Sequence, residues 1–581
     1  MRVNFRSTAA ALALGLALAT PAGAAEPAAA DLKAEIEGFL DRLEKSSDGL
    51  IRWDGADRME FRRDGDRAIA DIGNARISIA PDADKPTAER ARIVFDHIEI
   101  RRAPGPEGTT ALSFVLPAQS VLHSTDGGET RLTLKDATAD AIIEAKSSRT
   151  REIGVAVAGA RLEDRANGNR IAFGPLSLSS KIVGTADGGW TAPSIFELKG
   201  VTFSFADGPV EGAIDRIAYD GSATGSDLAA FNRFRDRLEA LREAQASRAD
   251  ASPDAMLELL PDLVTLFGLA KGEFTLEGLA ARPPTGEPFV TLKKASMGGA
   301  LTGLSGEKAA LRVTVRHDGL SIAPGLVDAG KVPQRAVFDV GLEDMGTEAL
   351  RSILDALGKM REGASDTDKE KAEQQMMAAA AMLTPVLRIH ELALDTPDIG
   401  VAATGEAKGS PLSMKGFSAA ADVTVRGFAA LAGLVGDAPL VSYLPLLQEI
   451  GTTATAADGT KRIQFHLASA PQKWITLNGS DVSAWFAGND TPPGKARDLR
   501  PADPAMTGED VRAVQQALAA ARIDTPQNGA YDGATAVAVA RFQKANALNV
   551  DGVVDAATRQ RLGVKTEPAA PKPAPARPGS R

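Results

Sequence analysis

The chain has 581 residues, 44% of them hydrophobic, a formal net charge of -10 and no cysteine. That length holds roughly two to four domains with sizeable cores, and the acidic balance supplies no basic surface for nucleic acid. The missing cysteine excludes disulfides, thiolate catalysis, cysteine-ligated zinc and a lipoprotein anchor.

Arg2 and Arg6 precede an apolar run from Ala9 to Ala19 and the small-residue stretch Thr20 to Ala24. A positive start, a run too short to span a bilayer and an Ala-x-Ala site predict a signal peptide, residues 1–24, cleaved after Ala24. No later stretch reaches the length of a membrane-spanning helix, so the mature chain is expected to be periplasmic or otherwise extracytoplasmic and not an integral membrane protein. A short amphipathic helix is expected from about Ala28 to Leu43. The period then becomes two, as in Arg92 to Ile100, Thr130 to Leu134, Gly154 to Val157 and Leu176 to Ser179. Alternation of this kind, broken by turns such as Asn167-Gly168-Asn169 and Asp187-Gly188-Gly189, predicts half-buried antiparallel strands.

After Tyr219 a pattern recurs. A charged helical stretch, Ser226 to Arg248, leads through Leu259-Leu260-Pro261 to a strand at Gly272 to Leu276. Helices at Thr347 to Met360 and Thr367 to Met382 lead through Leu383-Thr384-Pro385 to Arg388 to Leu394. A shorter pass runs from Phe428 through Tyr443-Leu444-Pro445 to Arg462 to Leu467. Each pass reads as a helix ending near a Leu-rich proline turn that feeds a strand, a diverged internal repeat. The body, residues 25–486 with subdomains 25–220 and 221–486, is therefore expected to be β-rich with helical insertions. Met376, Met377 and Met382 are expected in ordinary core packing in preference to an adaptable groove. A flexible linker is expected over 487–503 and a disordered Pro-rich tail over 564–581.

Residues 504–563 read as three short helices. Thr507 before Glu509 and Asp510 predicts one start, with Val511, Val514 and Leu518 on one face; Asp532-Gly533-Ala534-Thr535 and Asp555-Ala556-Ala557-Thr558 predict two more, with Asp532 and Asp555 as caps. Asn528-Gly529 and Asp551-Gly552 are turns. This stretch, and Gly529 to Gln543 with Leu548 to Leu562 above all, resembles the small peptidoglycan-binding module of bacterial cell-wall proteins. The resemblance implies a peptidoglycan ligand, held by hydrogen bonds because six acids balance six bases across these residues. Gln515, Tyr531 and Gln543 are the candidates for facing that ligand. Asn546 stands where the family has glycine, in a position that tolerates a left-handed helix end. The body is similar in texture to uncharacterised secreted bacterial β-rich proteins.

Catalytic patterns are sparse. The five histidines share no short spacing, and His390-Glu391 lies in a strand-like run, so no zinc site is expected. Ser305-Gly306-Glu307-Lys308 has the spacing of a serine enzyme but the surroundings of a turn. The fold class expected is α+β, a large antiparallel body plus a C-terminal three-helix bundle. The function expected is a secreted, non-catalytic, wall-associated protein without cofactors, tethered to peptidoglycan, whose body binds lipid or another envelope protein. The alternative is a peptidoglycan hydrolase or hydrolase activator.

Overall fold

The computed structural model describes residues 32–34, 36–38, 40, 51–79, 91–124, 128–144, 149–206, 208, 210–246, 266–360, 365–409, 417–431, 433, 443–456, 459–470, 473–486, 497–502 and 504–564. The expected signal peptide, the Leu259-Leu260-Pro261 stretch, most of the linker and the tail lie outside the described residues. The chain divides into two compact units, residues 1–327 with 342–384 and residues 328–341 with 385–581.

The first unit is an antiparallel meander. Its strands are β1 (Ile51–Gly55), β2 (Arg58–Asp64), β3 (Arg67–Ile79), β4 (Ala91–Pro104), β5 (Thr109–Val115), β6 (Gln119–His123), β7 (Glu129–Glu144), β8 (Thr150–Asp164), β9 (Arg170–Phe173), β10 (Leu176–Lys181), β11 (Val183–Gly184), β12 (Trp190–Phe205), β13 (Val210–Gly225), β14 (Leu269–Arg282), β15 (Val290–Thr302), β16 (Lys308–Asp318) and β17 (Ser321–Ile322). Long strands alternate with pairs of short ones: β5 and β6 both fill the space between β4 and β7, and β9 and β10 that between β8 and β12. From β12 to β16 neighbours in sequence pair directly.

Within the long strands the inward face changes phase. In β3 the residues that join the apolar core are Ala68, Ala70 and Ile72, and then Ala75 and Ile77. Between them Asn74 has φ 52°, and in β7 Asp136, with φ 44°, separates Leu134 from buried Ala137, Ala139 and Ala141. A single left-handed residue rotates the strand by one position, and Asn and Asp tolerate that conformation best among residues with a Cβ. Strictly alternating patterning would have placed Ala75 and Ile77 outside.

Among the described residues this unit includes the helices α1 (Leu228–Ala246), α2 (Thr347–Lys359) and α3 (Asp366–Met382). Phe231 of α1 stacks on Trp190 at 3.9 Å between ring centroids, and Phe267 meets Trp190 edge-on at 5.5 Å. α2 packs Leu350 and Leu354 over Leu304, Ala309 and Met345. Ser365 caps α3, its hydroxyl accepting from Asp368 N–H. Met377 and Met382 are 75% and 68% exposed, so core packing does not hold for them: α3 buries only its alanine stripe, Ala372 and Ala379.

Strand β18 (Arg335–Gly346) begins in the second unit's residues and ends in the first's. The second unit contains β19 (Val386–Asp395), β20 (Gly400–Gly409), β21 (Phe417–Arg426), β22 (Thr452–Thr455), β23 (Lys461–Ala470), β24 (Lys473–Leu477) and β25 (Ser480–Asp481), paired antiparallel in the order β19, β20, β21, β23, β24, β25 with β22 also on β23. Helix α4 (Leu444–Ile450) carries Pro445 in its own first turn, so in the third pass of the repeat the proline opens a helix instead of following one. A proline is suited there because the first turn's amides have no helical partner. The C-terminal residues add β26 (Met506–Thr507), α5 (Glu509–Ala520), β27 (Ala530–Tyr531), α6 (Gly533–Ala545) and α7 (Ala556–Leu562). Among the described residues no helix is long and apolar enough to cross a membrane.

Candidate peptidoglycan-binding module

The three C-terminal helices start for two different reasons. Asp532 caps α6 by accepting from Thr535 N–H at 2.8 Å, and Asp555 caps α7 by accepting from Thr558 N–H at 2.8 Å. α5 has no side-chain cap: Thr507 is in β26, paired to Ala530, and Gly508 with φ 151° leads into the helix. Its orientation is set instead by Arg497, whose guanidinium clasps Asp510 at 2.8 and 2.9 Å and holds that carboxyl below its usual range against the opposing effect of burial. After α6 the left-handed residue is Ala547, φ 53°, and Asn546 instead donates from its amide to Phe542 O at 2.9 Å.

Gln515, Tyr531 and Gln543 are all buried, and their polar atoms are committed to the protein itself. Gln515 Oε1 accepts from Gly529 N–H at 2.8 Å, while its Nε2 donates to Asn528 Oδ1 at 2.9 Å, Ala530 O at 3.1 Å and Thr535 Oγ1 at 3.0 Å. Gln543 repeats the arrangement on the next turn. Its Oε1 accepts from Gly552 N–H at 2.8 Å, and its Nε2 donates to Asp551 Oδ1 at 2.7 Å, Val553 O at 2.8 Å and Thr558 Oγ1 at 3.3 Å. The turn side chain in each copy accepts from the amide two residues on, Asn528 from Ala530 and Asp551 from Val553. The module is thus two copies of one loop, each a glutamine from one helix that satisfies the turn leading into the next. Tyr531 links the copies by donating to Gly552 O at 2.5 Å, and burial keeps its phenol protonated well above the ordinary range.

The copies differ in what lies over the turn glycine. Above Gly529 is the side chain of Arg512, exposed and paired to Glu509 at 2.9 Å. Above Gly552 is Leu446 of α4, fully buried. The second loop is further covered by Trp485, whose indole N–H donates to Asp551 O at 2.8 Å, and by Asn549, which exchanges two hydrogen bonds of 2.6 and 2.7 Å with the backbone of Asp481. Tyr443 donates to Ala502 O at 2.9 Å, and Glu449 pairs with Arg541 and Lys544. Leu499, in the stretch expected as linker, is buried and pairs with Val554. These residues share one apolar core with Val511, Leu518 and Phe542, so the module and the β19 to β25 sheet belong to the same compact unit.

Electrostatics separate the loops as well. Asp551 is pushed up to about 6 by burial, with nearby Asp555 adding to the effect, whereas its counterpart Asn528 carries no charge. Asp532 stays below its usual range despite burial, because the Thr535 amide and the Asn528 side chain donate to it.

Sites elsewhere resolve differently. Ser305 sits in the turn between β15 and β16, and Lys308 is paired to Asp344 at 3.1 Å. Glu391 pairs with Arg335, and His97 and His466 contact Asp71 at 3.2 Å and Asp422 at 2.8 Å. Among the described residues no three His, Cys, Asp or Glu side chains converge as a metal-binding group.

No curated protein and no solved structure matches the chain. Residues 507–562 match the family model of the peptidoglycan binding domain, which covers the duplicated loops and all three helices, and a peptidoglycan-binding domain at the C-terminus associates this protein with the cell wall.

Proposed function

We propose that this is a secreted, extracytoplasmic, non-catalytic protein held at the wall by residues 507–562, with a β-rich body that binds an apolar component of the envelope. The observation carrying the wall half of the reading is the asymmetry of the duplicated loop. Both copies are built alike, yet Leu446, Trp485 and Asn549 bond the second to the rest of its own unit, and only the first presents its turn under a flexible, exposed side chain. Peptidoglycan then docks on the first loop, against Arg512, Gln527 and Asn528. Gln515 acts by holding that loop, and Gln543 and Tyr531 by holding the second against the body, which is a positioning role for all three. A wall polymer rich in amide and carboxylate groups suits such a surface, where the exposed Arg512 guanidinium offers donors.

The test is co-sedimentation of the mature full-length protein with insoluble peptidoglycan, scoring the supernatant for released fragments. Pelleting of the wild type, a several-fold loss in Arg512→Glu and no soluble fragments support the reading. A wild-type protein that stays in solution defeats the wall assignment, and muropeptides in the supernatant defeat the non-catalytic one.

A further inference from the structure

On the sheet of the first unit charged side chains commonly close into hydrogen-bonded pairs: Arg216 donates to Glu197 at 2.8 Å, Lys181 reaches Glu152 at 2.9 Å and Lys294 reaches Glu277 at 3.1 Å. One end of β8, β9, β12, β13 and β14 is different. There a cleft of 590 Å³ opens, within the range of about 300–1,000 Å³ that holds small ligands. Two whole cross-strand rows line it. Glu163, Arg170, Ser204, Glu211 and Arg282 are direct partners on five adjacent strands. Two residues along each strand, on the same face, stand Arg161, Ala172, Thr202, Ala213 and Ala280. Apart from Arg161 the second row is short-chained, which leaves space beside the long side chains of the first. The charges here stay open. Arg161 is 3.7 Å from Glu163 and Arg282 is 3.7 Å from Glu211, both beyond hydrogen-bond distance, and among the described residues Arg170 forms no ion pair. A chain with a net charge of -10 thus gathers three arginines against two glutamates around one cleft.

The order of charge along the first row decides what fits. A polyanion would meet Glu163 and Glu211, and a polycation would meet the arginines. A molecule with one charge of each sign is satisfied by Arg170 and Glu211, which stand two strand spacings apart, or about 10 Å. An extended chain of three residues covers about the same distance from its ammonium to its carboxylate. The direction follows from the local balance. Arg161 and Arg170 outnumber Glu163 at the β8 and β9 end, and a guanidinium offers a carboxylate two parallel donors, so the carboxylate belongs there and the ammonium at Glu211. Ser204 lies midway, where its hydroxyl can donate to a peptide carbonyl, and the methyl groups of Ala172, Ala213 and Ala280 suit small apolar side chains. Such a peptide lies across the strands and does not extend the sheet, because β9, β12 and β13 are each paired on both sides.

We propose that this cleft binds a free zwitterionic peptide of about three small residues, its carboxylate on Arg170 and its ammonium on Glu211. The site stands apart from the wall reading, since no residue of 507–562 takes part in it. The test is calorimetric titration of the full-length protein with Ala-Ala-Ala, with its N-acetyl form and with its C-terminal amide. The wild type is expected to bind the free peptide saturably and each blocked form about tenfold or more weakly, the worth of one charge-assisted hydrogen bond. Arg170→Ala should lose a similar factor for the free peptide and no longer distinguish it from the amide, while Glu211→Gln should no longer distinguish it from the acetylated form. This matching of each variant to one blocked end is a readout that a general loss of structure would not produce. Lys181→Ala, on β10 outside the cleft, should bind as the wild type does. A wild type that does not bind Ala-Ala-Ala, blocked peptides that bind as tightly as the free one, variants that keep both distinctions, or citrate that binds as tightly as the peptide overturns the proposal.

Discussion

Replacing Asp551 with Asn removes a carboxyl from a site where ionisation is unfavourable. Asp551 titrates near 6 in the fold against 3.8 when exposed. Ionising it in the native state therefore costs about 3 kcal/mol more than in the unfolded chain. The native pKa is the higher one, so the folded state binds the proton more tightly: stability is greatest below about pH 4 and is lost as pH rises through 6, then levels. The first loop already shows an asparagine at this position, since Asn528 Oδ1 accepts from Gln515 and Ala530 as Asp551 Oδ1 does from Gln543 and Val553. The new amide would face the Asn549 Nδ2 now donating to Asp551 Oδ2 at 2.9 Å, a lost hydrogen bond of about 1 kcal/mol. The net expectation at pH 8 is a gain of about 2 kcal/mol for Asp551→Asn, shrinking to nothing or a small loss by pH 4. Urea unfolding of both proteins across pH 4 to 8, followed by tryptophan fluorescence that includes Trp485 against this loop, reads the difference directly. A variant less stable than wild type at pH 8, or a difference that does not change between pH 4 and 6, refutes the reasoning.

The two turn glycines should respond unequally. Gly529→Ala meets only the movable Arg512 side chain and costs the strain of a left-handed alanine, about 1 kcal/mol, whereas Gly552→Ala also drives its Cβ to 2.8 Å from Leu446 and 3.0 Å from Ala536 O, and should cost at least twice as much in the same unfolding assay. Gln515→Leu leaves the buried Gly529 amide without its acceptor and removes the donor shared by Asn528, Ala530 and Thr535, a loss of roughly 2 to 4 kcal/mol that should also weaken co-sedimentation with peptidoglycan. Asp555→Ala removes the cap of α7 at a cost of about 1 kcal/mol, measurable as a lower urea midpoint.

The parts of the fold written in local chemistry were legible in the chain. Asp532 and Asp555 each precede a threonine by three residues, and both cap as that spacing implies. The alternation in Arg92 to Ile100 is a strand, but the inward phase of its neighbour β3 is not readable from sequence, because nothing in the composition of β3 marks Asn74 as the residue that rotates the chain. Gln515 and Gln543 read as polar residues facing a groove, and the structure buries both, each accepting from a turn glycine amide, Gly529 or Gly552. The signal that finds this is the repeated spacing Asn528-Gly529, Asp532, Thr535 and Asp551-Gly552, Asp555, Thr558, with a glutamine before each. The row of Glu163, Arg170, Ser204, Glu211 and Arg282 was illegible for another reason. Its members come from five strands and meet only through strand register, which hydrophobic pattern fixes to a face but not to a partner.

The duplicated loop has a consequence for valency. If each of two like loops binds the polymer, a free module would be bivalent, able to bridge neighbouring strands and to gain avidity from the second contact. Here Leu446 and Trp485 occupy one of the two positions within the same polypeptide. On the docking proposed above, the protein would meet the wall through one loop, as a monovalent ligand whose exchange with the polymer stays reversible and which does not cross-link it.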